Sequence, residues 1–216
     1  MIRKEFRTFY LQGGMVLTSL SFFTLALFCI SLALGLEEKV LSHGAPAFLW
    51  VLAILTTLFT TPLLLKTEIQ EGLIDEILLH AAPPSIYLLA KIGVEFFLLG
   101  LPLIGLGTLF SSFCGLSPTE VATLSITFLI GFPALSALGI LGGLLTLHAR
   151  GGGILLAFLI LPLALPLLLF ALSVLEMTRL GLDSSASFCL LTSVSILLVI
   201  LSVGAGNWAL RFAVEG

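Results

Sequence analysis

A segment between Lys66 and Pro84 holds four of the chain's 12 acidic side chains, Glu68, Glu71, Asp75 and Glu76. Apolar residues of this segment recur at the spacing of one helix face, and the carboxylates occupy the opposing side. The spacing predicts an amphipathic helix over about 67–80, too short and too charged to cross a membrane. Anionic lipid would repel its carboxylates, which favours a protein partner with basic groups over a merely solvated face. Gly72 would let such a partner approach the backbone closely.

Nucleotide chemistry has no residues to support it in this sequence. A phosphate-binding P-loop needs a lysine directly after a glycine in GxxxxGK[ST]. None of the four lysines, Lys4, Lys39, Lys66 and Lys91, follows a glycine. If ATP drives this protein, a separate subunit must bind it. Because no nucleophile elbow and no HExxH motif occurs either, we predict no catalytic residue and no enzyme.

The sequence also lacks a motif for metal or covalent haem. Cys29, Cys114 and Cys189 are isolated, and no CxxC occurs. The topology derived below places His43 on the opposite side of the membrane from His80 and His148, so the three histidines cannot form one cluster. We therefore predict no metal site and no directly bound cofactor, although axial ligation by a single histidine stays open.

One acidic residue, Glu95, lies clearly inside an apolar run, with Lys91 one helical turn before it. Two roles are open for this pair. The first is an ion pair near the cytoplasmic membrane surface, where both side chains snorkel to water. The second is a role in transport or in binding a partner, because ionisable groups inside membranes are costly and often functional.

The composition requires a membrane protein to position these groups. Of 216 residues, 59% are hydrophobic and 10% charged, and the mean hydropathy is +1.23. A soluble domain carries about 25% charged residues. Six long apolar runs, at about 13–34, 47–65, 86–112, 119–147, 153–175 and 186–210, predict six transmembrane helices in a single all-α domain over 1–216. The net charge of −3 argues against nucleic acid.

Basic residues set the predicted orientation. Seven lie on the side of the N-terminus, namely Arg3, Lys4, Arg7, Lys66, Lys91, Arg150 and Arg211, and two lie opposite, Lys39 and Arg179. The positive-inside rule then places both termini in the cytoplasm. Residues 1–12 could form an interfacial helix in the lipid headgroup plane or could carry ordinary flanking charge.

Prolines and one capping motif shape the later spans. Ser117, Pro118 and Glu120 form a capping box that predicts the start of the fourth span. Pro133 predicts a break or kink in that span, while Pro162 and Pro166 predict a bend in the fifth. These three prolines either set helix shape or act as a hinge.

Two passages together resemble the CcmB family, the haem exporter B proteins of bacterial cytochrome c maturation. The first is KTEIQEGLIDEILL from Lys66, followed by Leu89-Ala90-Lys91. The second is LHARGGGILL from Leu147, which contains His148, Arg150, Gly151 and Gly152 and continues into Leu161-Pro162-Leu163. The order and spacing of these passages carry the resemblance, which is strongest from about 60 to 175.

The resemblance implies an ABC-2-type permease of the bacterial inner membrane, forming a homodimer beside a CcmA-like ATPase subunit. A CcmC-like haem-handling protein and a CcmE-like haem chaperone would act alongside it. Haem would be a substrate, and ATP would act through the ATPase. The segment around 67–80 would be the coupling helix, and the 148–152 loop a second cytoplasmic contact. Two other classes stay open: a secondary transporter or channel without an ATPase, and a structural assembly subunit.

Overall fold

The computed structural model describes the backbone of residues 2–33, 38–70, 84–146 and 152–215. Side chains are described over 13–33, 40–65, 85–146 and 160–208. Throughout these ranges the regular structure is helical, which confirms the predicted all-α fold. The helices are α1 (Ile2–Ala33), α2 (Glu38–Gln70), α3 (Pro84–Glu95), α4 (Leu101–Phe113), α5 (Pro118–Thr146), α6 (Gly152–Arg179) and α7 (Ser185–Glu215).

Six stretches of the described chain are long and apolar enough to cross a membrane, as predicted. They are Gly13–Ala33, Val40–Leu65, Ser85–Phe113, Pro118–Thr146, Ile160–Arg179 and Ser185–Trp208. The third consists of α3, a π-helical turn at Phe96–Gly100 and α4. The placement of both termini in the cytoplasm stays a prediction.

Several boundaries differ from those expected from the sequence. α1 runs from Ile2 to Ala33 as one helix, with no break at residue 12 to separate an interfacial helix from the first span. α2 likewise continues past the second span to Gln70, so residue 67 does not begin a new helix. In both places helical hydrogen bonding continues because no proline interrupts it; Gly13 and Gly14 alone do not end α1. Whether residues 2–12 lie in the headgroup plane stays a prediction.

The core of the bundle is α5, which packs against α2, α6 and α7. In its most apolar stretch 72% of the residues are buried, against 22% in α1 and in α7. Glycines on α5 allow α2 to pack closely against it. A side chain at Gly131 would overlap the ring of Trp50, and one at Gly139 would meet Thr61. Small residues of this kind allow membrane helices to pack by close backbone approach, since lipid supplies no hydrophobic driving force.

The short connections after the third and the fifth span each turn at a glycine. Gly115 and Gly181 have φ values of 77° and 67°, in the left-handed region that other residues rarely adopt. After α6, the N–H of Leu182 donates to the carbonyl of Met177 and that of Gly181 to Thr178. The predicted capping box begins α5: the N–H of Ser117 donates to Glu120 Oε2 at 2.8 Å, and the N–H of Glu120 donates to Ser117 Oγ at 3.3 Å.

Candidate functional site

The two predicted cytoplasmic contact segments fall largely outside the described residues. Glu68 lies on the last turn of α2, and Gly152 is the first residue of α6. The other predicted contact residues, Glu71, Gly72, Asp75, Glu76, His148, Arg150 and Gly151, lie outside the described residues. The docking role assigned to both segments stays a prediction.

The three predicted hinge prolines all lie inside continuous helices, so none of them breaks its helix. The break allowed for at Pro133 is therefore absent. A proline ring displaces the carbonyls of the preceding turn, and neighbouring hydroxyls commonly bond to them in membrane helices. Here Ser195 on α7 donates to the carbonyl of Ile130 at 2.6 Å, one turn before Pro133. Pro162 and Pro166 are exposed on the surface of the bundle. A hinge role for any of the three stays a prediction.

Glu95 is the principal polar group within the described part of the bundle interior. It is 3% exposed and accepts a hydrogen bond from the Thr61 hydroxyl through Oε1. Its span covers 29 residues, about 43 Å at 1.5 Å per residue, so Glu95 lies roughly a third of the way across. The side chain faces α2 rather than the membrane surface. Of the two roles left open for Glu95, snorkelling to water is therefore wrong, because packing directs this face of α3 into the bundle. Its pairing with Lys91 stays a prediction.

Thr61 reaches Glu95 because its hydroxyl is turned away from its own helix. Thr57 donates to the carbonyl of Ala53 at 2.8 Å and Thr60 to that of Thr56 at 2.6 Å, the usual intrahelical bonds. Thr61, fully buried, instead donates to a carboxylate on another helix. On its other side is Gly139 of α5, where an added Cβ would lie 2.8 Å from Thr61 Oγ1. The polar contact thus lies where α2, α3 and α5 meet.

A π-helical turn follows Glu95 directly. The N–H of Leu101 donates to the carbonyl of Phe96, five residues earlier, and Pro102 has no N–H to continue the α pattern. Gly100, in this turn, packs against the ring of Phe132 on α5. Single π-turns often mark functional sites in helices. The sequence signal was Pro102, which sequence reasoning missed.

A groove of about 370 Å³ separates α1 from α2. Its walls are mainly apolar, with Met15, Phe22 and Phe59 among them. Ser19 and Thr60 meet at its edge, with their hydroxyl oxygens 2.6 Å apart. Because every lining residue is uncharged, the groove suits apolar groups such as lipid chains and cannot neutralise an ion.

Arg179 joins three spans at the opposite end of the bundle from Glu95. Its Nε lies 2.5 Å from Glu120 Oε1 on α5, and its Nη2 donates to the carbonyl of Ser42 on α2 at 2.6 Å. Its Nη1 lies 3.3 Å from Nδ1 of His43. His80 and His148 lie outside the described residues, and within the described ones no three potential metal ligands come together.

These features define a class: a six-span helical membrane protein whose described interior carries a hydroxyl–carboxylate contact beside a π-turn. The CcmB protein family model matches residues 1–213. The chain belongs to the CcmB family.

Relatives at full length agree with this assignment. The chain is 33% identical to the heme exporter protein B of Haemophilus influenzae over 215 residues, covering 100% of this chain and 97% of that one. It is 30% identical to that of Pseudomonas aeruginosa, covering 99% and 96%, and 29% identical to that of Escherichia coli K12, covering 100% and 98%. The resemblance noted from the two sequence passages is confirmed.

Proposed function

We propose that this chain is the membrane subunit of an ATP-driven complex that serves haem export in c-type cytochrome maturation. The observation that carries the proposal is the family match over residues 1–213, reinforced by relatives named heme exporter protein B. The chain has six helices able to span a membrane and no P-loop, so it acts as a permease rather than an enzyme. ATP enters through a separate CcmA-like subunit.

The proposed complex resides in the bacterial inner membrane, with both termini of this chain in the cytoplasm. A homodimer of the chain works beside a CcmC-like haem-handling protein and a CcmE-like haem chaperone. ATP hydrolysis drives either haem export itself or release of the haem-loaded chaperone. The seven-to-two distribution of basic residues supports this orientation.

The ATPase docks on the segment from Glu68 to Leu79. A short helix can transmit the nucleotide-driven closure of an ATPase when the ATPase binds its exposed face while its other face packs on the bundle. The carboxylates of Glu71 and Asp75 share that exposed face in the sequence pattern, and Gly72 permits close approach. Charges at the rim of an interface mainly orient the partners, so one reversal is tolerated and two are needed.

The test is a double charge reversal, Glu71→Lys with Asp75→Lys. We expect weaker copurification of the ATPase and loss of coupled hydrolysis, with normal membrane insertion, because added positive charge keeps the cytoplasmic bias. The matched control exchanges the two acids, Glu71→Asp with Asp75→Glu, and should copurify normally. Full complex formation and coupling in the double reversal would move the docking site elsewhere, to the 147–153 loop first.

A second candidate, an ion-coupled transporter without an ATPase, is favoured by one observation, the buried carboxyl of Glu95. Copurification separates the two candidates. A P-loop ATPase that copurifies from detergent extract supports the first, whereas transport activity in vesicles holding this chain alone supports the second.

A further inference from the structure

We propose that the contact between Thr61 and Glu95 is a mechanical joint that makes α2 and α3 move together. In this proposal Thr61 and Glu95 are positioning residues for ATP coupling. The proposal rests on the proposed function, in which an ATPase grips the segment between these two helices.

The position of the contact in the chain is the first support. α2 leads into the 67–80 segment and α3 leads out of it, so a displacement of that segment reaches the membrane through these two helices. Thr61 lies on the last turns of the second span, and Glu95 lies on the last turn of α3. A bond between them prevents one helix from shifting while the other stays behind.

The second support is that the bond is specific and buried. Thr61 and Glu95 are 0% and 3% exposed, so water cannot replace a partner that moves away. Separating the helices would leave a buried hydroxyl and a carboxyl with one hydrogen bond fewer, which is strongly disfavoured in an apolar interior. Thr57, one turn before Thr61 on α2, is also buried but donates to its own helix, so burial on α2 does not by itself produce an interhelical bond.

The third support is the surrounding packing. Gly139 leaves only enough room for the Thr61 side chain against α5. Immediately after Glu95, the π-turn at Phe96–Gly100 departs from regular α-helical bonding. A fixed contact followed by an irregular turn lets α3 follow a movement of α2 without carrying α4 with it.

The test uses the detergent-purified complex with its ATPase and measures both copurification and the hydrolysis that the membrane subunit stimulates. Thr61→Val removes the hydroxyl at nearly constant shape. Thr57→Val is the matched control, because Thr57 is equally buried and bonds only within its own helix. We expect stimulated hydrolysis to fall about tenfold in Thr61→Val, a typical size for coupling between sites. Copurification should stay near the wild-type level in both variants.

Rescue variants separate a joint from a merely structural role. Thr61→Ser and Glu95→Gln keep a donor and an acceptor, so both should retain stimulation. Gly139→Ala should displace Thr61 and lower stimulation, whereas Gly105→Ala, which meets nothing within 4 Å, should not. If the Gly139→Ala variant fails to fold, the comparison of Thr61→Val with Thr57→Val still tests the proposal.

Three results would overturn the joint. The first is that Thr61→Val keeps the stimulated ATP hydrolysis of the wild type. The second is that hydrolysis falls as much in Thr57→Val as in Thr61→Val. Loss in Glu95→Gln with full activity in Thr61→Val would mean that the charge of Glu95 matters and the bond does not. If the wild-type chain copurifies with no ATPase, the proposed function itself fails, which is a distinguishable outcome.

Discussion

Arg179 shows how a single residue completes a helix that proline leaves incomplete. In a regular helix the N–H of residue 46 would bond to the carbonyl of Ser42, but Pro46 has none. The Arg179 guanidinium supplies a donor to that carbonyl at 2.6 Å and at the same time pairs with Glu120. Arginine suits this position because its fork of donors can serve two acceptors at once.

Replacement of Arg179 should therefore destabilise the protein at this end of the bundle. Hydrogen bonds to charged groups contribute about 1.5–3 kcal/mol each, so Arg179→Ala should lower the free energy of unfolding by a few kcal/mol. The Arg179→Lys variant should keep only part of this stability, because an ammonium group lacks the planar set of donors of a guanidinium group. Denaturation in detergent measures both effects. Pro46→Ala, which restores the N–H, should reduce the cost of Arg179→Ala. If the losses of stability in Arg179→Ala and Pro46→Ala simply add, Arg179 does not replace the hydrogen bond that Pro46 cannot make.

Cys114 should be chemically inert at neutral pH. Burial raises the pKa of its thiol to about 11, and the residue is 1% exposed. The reactive thiolate is then about a thousandth of the population at pH 8. In a variant that keeps only Cys114, with Cys29→Ser and Cys189→Ser, a water-soluble maleimide should react only after denaturation. Rapid labelling of the folded protein at pH 8 would show that the connection after α4 is open to water.

At the scale of elements, the sequence was sufficient where each signal is local. Apolar length defines the six spans, and the Ser117–Glu120 capping box begins α5 where expected. The bond of Glu95 to Thr61 could not be predicted, because those residues are 34 positions apart and only helix packing brings them together. The π-turn could have been suspected from Pro102. The docking roles of the segments at 67–80 and 148–152 stay predictions.

The packing of α2 on α5 should depend on the absence of a side chain at Gly131. An added Cβ would overlap Trp50, whose ring also stacks on Phe128 with 4.5 Å between ring centroids. Overpacking of a buried site typically costs about 1–3 kcal/mol, so Gly131→Ala should lower thermal stability in detergent. Gly105→Ala, with open space around it, is the control and should have little effect. Equal melting temperatures for the two variants would mean that Trp50 adapts easily.

At the scale of the whole molecule, the predicted orientation rests on the six apolar spans and on the distribution of basic residues. Single cysteines introduced at Ser42 and Arg150 should react with membrane-impermeant reagents from opposite sides of intact cells or vesicles. The reason is that Ser42 lies at the start of the second span and Arg150 follows the end of the fourth. Labelling of both positions from the same side would contradict the orientation with cytoplasmic termini.

The central claim is that an ATPase grips the segment around Asp75. Site-specific photocrosslinking in living cells tests it most directly, with a photoreactive residue at Asp75 and, as a control, at Asp183 between α6 and α7. The expected result is an adduct at position 75 whose partner, sequenced by mass spectrometry, contains a GxxxxGK[ST] loop, and no such adduct at position 183. Position 75 without an adduct to a P-loop protein, or the same adduct at both positions, would contradict the account.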